Sequence, residues 1–345
     1  MKSTSKATIS DVAELAGVSI KTVSRVVNRE PNVRPATQVK VENAIQRLHY
    51  RPNLSARNLA SSRAKVIVLV YDDPAVYEAP SSGFIIKMQQ GALTACKQSG
   101  YELLIHPCHY RDAGVKEQLR DLVDRTRPSG VIIAAPISNM PELVDTIRRT
   151  GVPFVPLAQG LDESEEFTVA TNDRSFSAEM TRYLASQGHK RIGFIRGNPN
   201  HAAVRKRFYG YQDGLENCGI TFDDSLVVNG DNSIGSGETC GGKLLDLDDP
   251  PTAIFAANDD MAAGVMREAA RRGIRIPEQL SVAGCDDISL AQQIYPSLTT
   301  IRQPLAEMAE AAAEALTGRK QESGLLTVPA ELKVRESTGP APRSR

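Results

Sequence analysis

From residue 66 to residue 286 the chain repeats one pattern: a short apolar run, then a helical stretch of about a dozen residues, long enough for a crossover between parallel strands. The runs are VIVLVY (66–71), YELLIHP (101–107), GVIIAAP (130–136), VPFVPL (152–157), FTVA (167–170), RIGFIRG (191–197), TAIFAAN (252–258) and SVAGCD (281–286). Several are rich in Val and Ile and bounded by Gly or Pro, as strands buried on both faces are. Their number predicts two doubly wound α/β lobes of similar size with parallel sheets. Ligands bind such sheets beyond the carboxyl ends of the strands. Two facing lobes make a cleft that can close on a small molecule.

The first fifty residues follow a different period. In TISDVAELAGVSIKTVSRVVN (8–28), Thr8 and Asp11 resemble a capping box, with Asp where Glu or Gln is usual. Ile9, Val12, Ala13 and Ala16 recur at helical spacing, and Gly17 ends the helix. Ser19 can cap a second helix, in which Val23, Val26 and Val27 face inward. Ile20, Lys21, Ser24 and Arg25 share another face. Two short helices joined by a tight Gly turn make a helix-turn-helix, the second helix reading the DNA groove. A third helix fits residues 36–48, with Val41, Ala44, Ile45 and Leu48 inward. Residues 54–60 suit one or two helical turns, marginal without DNA or a second copy as partner.

Charge separates the same parts. Residues 1–64 carry eleven Lys and Arg against four Asp and Glu, while the remainder carries thirty against thirty-seven. A basic end on an acidic body fits a nucleic-acid-binding module joined to a part that does not touch phosphate. The five cysteines are scattered and form no C-x-x-C pair, which argues against a zinc ribbon or a disulfide framework. No apolar run approaches the ~20 residues that span a bilayer. The N-terminus has no apolar signal core, so the expected location is cytoplasmic.

The 8–28 segment, followed by Tyr50-Arg51-Pro52-Asn53 and Ala56-Arg57-x-Leu59, closely resembles the LacI/GalR family of bacterial repressors. The resemblance continues through Gly188-His189-Lys190-Arg191-Ile192-Gly193, Arg207-Phe208-Tyr209-Gly210-Tyr211, Ala257-Asn258-Asp259-Asp260-Met261-Ala262, Val282-Ala283-Gly284-Cys285-Asp286-Asp287 and Leu298-Thr299-Thr300-Ile301. The closing GPAPRSR (339–345) reads as a disordered tail, and the resemblance implies a headpiece over 1–49, a hinge over 50–64 and a sensor over 65–338 similar to periplasmic sugar-binding proteins. It also implies that the chain crosses between lobes near 162, 290 and 325. Ile20, Lys21 and Arg25 would face base edges in the major groove, with Thr8, Ser19, Thr22, Ser24 and Arg34 completing that DNA-contacting set. Asn53, Ala56, Arg57 and Leu59 would lie in a minor-groove hinge helix, Leu59 wedging between base pairs. Arg34-Pro35 departs from the family's usual Ser-Pro, so the third helix loses its Ser cap and Arg34 is left to touch phosphate.

Arg207, Asn258 and Asp286 match family effector-binding positions. A planar guanidinium suits paired hydroxyls or a carboxylate. Asp72 and Asp73 follow the first strand of the other lobe, and Tyr77 and Phe84 can stack on a sugar face. Asn172 and Asp173 stand in the reverse of the family's order. Asp259 and Asp287 read as helix caps. His106, Cys108 and His109 match no standard metal spacing, and Gly235-Ser236-Gly237 is a weak phosphate-cradle signal. No catalytic constellation is legible and no cofactor is called for. The expected function is an effector-responsive repressor of sugar genes, a homodimer on pseudo-palindromic double-stranded operator DNA, with no membrane partner. The competing readings are a sugar-acting enzyme and a sugar-binding protein on the same fold. Neither explains the headpiece.

Overall fold

The computed structural model describes residues 7–27, 33–50, 64–73, 83–158, 166–320 and 323–342. The chain forms two compact units, Met1–Ala64 and Lys65–Arg345.

The first unit holds α1 (Ile9–Ala16), α2 (Ile20–Val27) and α3 (Pro35–Arg47). The capping box forms: Thr8 Oγ1 accepts from the Asp11 N–H and Asp11 Oδ2 accepts from the Thr8 N–H at 2.7 Å. Gly17 ends α1 at φ 65°, a left-handed conformation that costs glycine little. Pro35 opens α3, and Arg34 before it makes no side-chain cap, as its identity predicts. Val12, Ala13, Val23, Val26, Val41 and Ala44 form the core, with Ile45 and Leu48 packed against it.

The second unit is built on two main sheets. The first contains β1 (Ala64–Asp72), β2 (Glu102–Cys108), β3 (Pro128–Ile133) and β4 (Phe154–Pro156) in the order β2-β1-β3-β4. Alternation along β1 puts Ile67, Leu69 and Tyr71 into one core cluster and Val68 and Val70 into another. Helices α4 (Gly83–Ser99), α5 (Val115–Thr126) and α6 (Pro141–Arg148) supply the residues that cover these faces. β5 (Thr168–Thr171) joins this lobe through a parallel bridge from Val169 to Leu157.

From there α7 (Asp173–Ser186), β6 (Ile192–Arg196), α8 (Ala202–Asn217), β7 (Val227–Asn229), α9 (Ile234–Leu245), β8 (Ala253–Ala256), α10 (Asp259–Arg271), β9 (Ser281–Asp286), α11 (Ser289–Gln293) and β10 (Thr299–Arg302) build the second lobe. Helix α12 (Leu305–Leu316) packs back on α4, and β11 (Leu325–Val328) pairs with β5. β12 (Glu331–Lys333) then closes the second sheet in the order β12-β10-β9-β8-β6-β7, antiparallel only at β10–β12. Phe194 of β6 stacks on Tyr211 at 4.8 Å and meets Phe255 edge-on at 5.3 Å in that core.

The chain therefore crosses between lobes near 172, 303 and 329, not near 162 and 290 as expected. The cause is pairing. β5 and β11 satisfy each other's backbone and extend the first lobe, and β10 stays beside β9. The expectation of a disordered tail also needs correction. The Gly339 N–H donates to Ser281 Oγ at 3.1 Å and the Ala341 N–H to the Gln187 carbonyl at 2.8 Å, so residues 339–342 lie on the second lobe. Residues 343–345 fall outside the described residues.

Gly235-Ser236-Gly237 lies inside the first turn of α9, with Ser233 as its cap. A Cβ at Gly237 would stand 2.2 Å from the Met261 carbonyl oxygen, so this glycine allows α9 and α10 to cross closely. That packing role replaces the phosphate cradle. Gly237→Ala is expected to cost about 1–3 kcal/mol through overpacking, read as a thermal midpoint several degrees lower. A midpoint equal to the parent's would show that the crossing relaxes freely.

Candidate DNA interface and effector cleft

The apolar face of α2 fixes what its other face presents. Burying Val23 and Val26 leaves Ile20 51% exposed and Lys21 exposed, with Ser24 and Arg25 partly so. An apolar residue that exposed, beside a cation, suits a groove edge better than bulk water. Ser19 accepts from the Thr22 N–H at 3.2 Å and lies 2.9 Å from the Thr22 hydroxyl. Thr8 is likewise held by Asp11, whose carboxyl is drawn below its usual range by the Thr8 backbone and hydroxyl donors. Both caps set the position of the helix starts. Arg34 is exposed at the start of α3. Asn53, Ala56, Arg57 and Leu59 lie outside the described residues.

In the second unit the structure brings Arg207 and Asp286 together and adds Asp173. Arg207, on α8, is 6% exposed. Its Nε donates to Asp173 Oδ1 at 2.8 Å, and its Nη1 donates to the Ala257 carbonyl at 2.6 Å and lies 3.8 Å from Asp286 Oδ1. Its Nη2 donors make no hydrogen bond to the described residues. Gln303 Nε2 donates to Asp286. Asp173 stood out only within a reversed family pair and Gln303 carries no motif, so sequence reasoning missed their place beside Arg207.

Asp286 and Asp287 have φ of 127° and 52°. Such a turn in non-glycine residues persists only when its surroundings over-determine it. Asp259, fully buried, accepts from the Ile288 N–H at 2.9 Å and from the Thr300 hydroxyl at 2.5 Å. Asp287 takes Arg335 at 2.5 Å and Arg302 at 2.9 Å. Neither carboxylate caps a helix, contrary to expectation; each binds the donors that face it. The cap of α10 is Asn258 instead. Its Oδ1 accepts from the Met261 N–H and its Nδ2 donates to the Asn232 carbonyl, both at 2.9 Å.

Burial pushes the Asp286 carboxyl above the usual carboxylate range, with Arg207 and Gln303 pulling the other way. Burial and the neighbouring Asp286 do the same to Asp259. The folded protein keeps these protons past the pH at which the unfolded chain has lost them. Their contribution to stability is therefore greatest at acid pH and falls as pH rises from about 4. Asp286→Asn, which keeps an acceptor oxygen, is expected to flatten this decline and to be at least as stable as the parent at pH 7.5. Urea midpoints between pH 5 and 8 test this; a variant that keeps the parent's slope contradicts it.

The first lobe offers less than the sequence suggested. Asp72 is occupied by its own lobe: its carboxylate lies 3.0 Å from His109 Nδ1 and accepts from the Tyr110 N–H at 3.2 Å. Asp73 is half-buried, its N–H bonded to the Cys108 carbonyl at 3.0 Å. Phe84 packs against the first-lobe core at the start of α4, and Tyr77 lies outside the described residues. Cys108 is buried with its thiol 3.9 Å from the Tyr71 carbonyl, and no group of three or more metal-ligating side chains is assembled among the described residues. Among those residues no helix is long and apolar enough to cross a membrane.

Hydrogen bonds cross from lobe to lobe. Lys87 Nζ donates to the Asp287 carbonyl at 2.6 Å, Asn200 Nδ2 to the Tyr110 hydroxyl at 2.8 Å, and the Ala202 N–H to Asn139 Oδ1 at 2.7 Å. A guanidinium between carboxylates offers both donors and acceptors, as a hydroxyl-rich ligand requires.

The model of bacterial regulatory proteins of the lacI family matches residues 8–53, and that of the periplasmic binding protein-like domain matches 181–338. The HTH-type transcriptional repressor PurR of Vibrio atlanticus (strain LGP32) is 32% identical over 318 residues, 91% of this chain and 92% of that protein. A lac repressor dimer bound to operator and the anti-inducer ONPF superposes with a TM-score of 0.81 at 27% identity, covering 97% of this chain and 100% of that one. The transcriptional regulator CelR–cellobiose complex gives 0.71 at 29%, covering 96% and 99%. Such relatives are transcription regulators, not enzymes, and the enzyme reading falls. The chain belongs to the LacI family of bacterial transcription regulators.

Proposed function

We propose that this protein is a homodimeric repressor of sugar uptake or catabolism genes that reads a pseudo-palindromic operator and answers to a sugar bound between its lobes. The observation that carries the reading is the buried Asp173–Arg207–Asp286 group at the strand ends of a lobe that also bonds across to its partner lobe. The similarity to the CelR–cellobiose complex supports the sugar, and that to the lac repressor dimer on operator supports the operator-bound dimer. Ile20, Lys21 and Arg25 read bases; Thr8, Ser19, Thr22, Ser24 and Arg34 steady the headpiece on the backbone. Asn53, Ala56, Arg57 and Leu59 act in the minor groove. A sugar favours one relative orientation of the lobes, and the dimer passes that preference to its paired hinge segments. Its leverage equals its difference in affinity for the two states, typically ~1–3 kcal/mol.

A thermal-shift screen against neutral mono- and disaccharides, followed by operator titration with each hit, tests the sugar reading. It predicts at least one sugar that raises the melting point and changes operator affinity about five- to 150-fold. A protein that binds operator but whose stability and affinity no sugar alters contradicts it.

A further inference from the structure

Helix α8 carries Arg207, yet its first amide is capped from the opposite lobe. The residue at its own cap position, His201, makes no side-chain cap bond. The Ala202 N–H instead donates to Asn139 Oδ1 at 2.7 Å. Asn139 belongs to the first lobe, in the 3-10 turn Ile137–Asn139 between β3 and α6. Its orientation is set from behind. Nδ2 donates to the Ala158 carbonyl at 2.9 Å and to Ser138 Oγ at 3.3 Å, and Ser138 Oγ in turn donates to the Leu157 carbonyl at 2.7 Å. An amide whose nitrogen is tied to a carbonyl must present its oxygen the other way. The acceptor aimed at α8 is therefore fixed by the first lobe's own backbone. Free helix N–H groups bear partial positive charge, and an oxygen at that end stabilises the first turn.

We propose that Asn139 is a positioning residue for Arg207: it caps α8 across the cleft, so that apposition of the lobes and ordering of the turn that leads to Arg207 are one event. The inference rests on reading the cleft as the effector site. The second lobe cannot complete this cap alone. When the lobes part, the first turn of α8 loses its side-chain acceptor and Arg207 loses the anchor on its N-terminal side. The Tyr110–Asn200 bond enters the second lobe only two residues before Ala202 and holds the same approach.

The test is amide hydrogen exchange of the full-length dimer with no ligand or DNA, read on peptides covering 198–207 and 134–158, with small-angle scattering alongside. Asn139→Leu removes all three side-chain hydrogen bonds at similar volume. It is expected to speed exchange at Ala202–Val204 by about three- to thirty-fold, the range set by loss of an N-cap. The radius of gyration should rise, while exchange in the body of α8 stays at the parent's rate. Asn139→Asp keeps an acceptor oxygen but loses the Nδ2 bond that orients it, and should speed exchange at Ala202–Val204 less than Leu does. Parent-like exchange at 202–204 in a folded Asn139→Leu protein overturns the proposal. So does Asn139→Asp raising exchange there as much as Leu does, or a change confined to 134–158. Because neither sugar nor operator enters the measurement, a failure here is separate from a failure of the repressor reading.

Discussion

Replacing Arg207 with Met is expected to destabilise the second unit by about 3–5 kcal/mol, the usual cost of removing one partner from a buried ion pair. Arg207 and Asp173 are both nearly inaccessible, at 6% and 4% exposure, and their bond is 2.8 Å. Truncation strands the Asp173 carboxylate and frees the Ala257 carbonyl in the same low-dielectric space. Removing both partners is milder than removing one. The double variant Arg207→Met/Asp173→Leu should therefore recover much of the loss. Urea unfolding followed by circular dichroism reads both. If the single and double variants unfold at the parent's midpoint, the pair contributes nothing to stability. The same burial governs any effector experiment: lost response in a truncated Arg207 variant counts only when the fold is intact. Arg207→Lys, which keeps the charge and loses the fork, is the better probe.

Arg25→Ala should weaken operator binding by about 1–3 kcal/mol in each half-site and relax base preference there. Across two half-sites of a dimer that compounds to roughly thirty-fold or more. The dependence of affinity on salt should barely change, since a base-reading Arg adds no phosphate contact. Competition between specific and random duplexes at two salt concentrations separates the cases. Equal losses on both duplexes with a shallower salt slope would move Arg25 to the phosphate backbone.

The headpiece was legible almost residue by residue because its signals are local. Thr8 with Asp11, Gly17, Ser19 and the inward valines each act within one turn of helix, and each sits where its chemistry requires. The strand pattern was legible for the same reason. The run 66–71 reads as a strand because both of its faces are buried. Four short strands escaped detection. β7, β11 and β12 are three or four residues long and only partly buried, so they carry little apolar periodicity, and Leu298–Ile301 stood out as a motif without being read as β10. Two lobe crossings were misplaced because they depend on strand pairing, of β5 with β11 and of β10 with β9, and the first of these joins Thr168 to Leu325, a contact that no window can show.

The cleft was half legible. Arg207 and Asp286, both named from the family resemblance, stand 3.8 Å apart. Partners such as Asp173, Gln303 and Asn139 come from segments 17 to 63 residues away. Asn258 and Asp72 were legible by type but not by partner. Their type and position suggested ligand contacts, and nearer groups already bind them.

The central claim, sequence-specific DNA binding through α2 by a two-fold dimer, is tested most directly by selection from a random duplex pool. The full-length protein is incubated with the pool, bound DNA is sequenced, and Arg25→Ala is run in parallel. The account predicts strong enrichment of an inverted repeat with two equivalent half-sites, with base preference relaxed at matching positions in both halves for the variant. A pool that emerges without enrichment, or with a single asymmetric half-site that Arg25→Ala leaves unchanged, would contradict it.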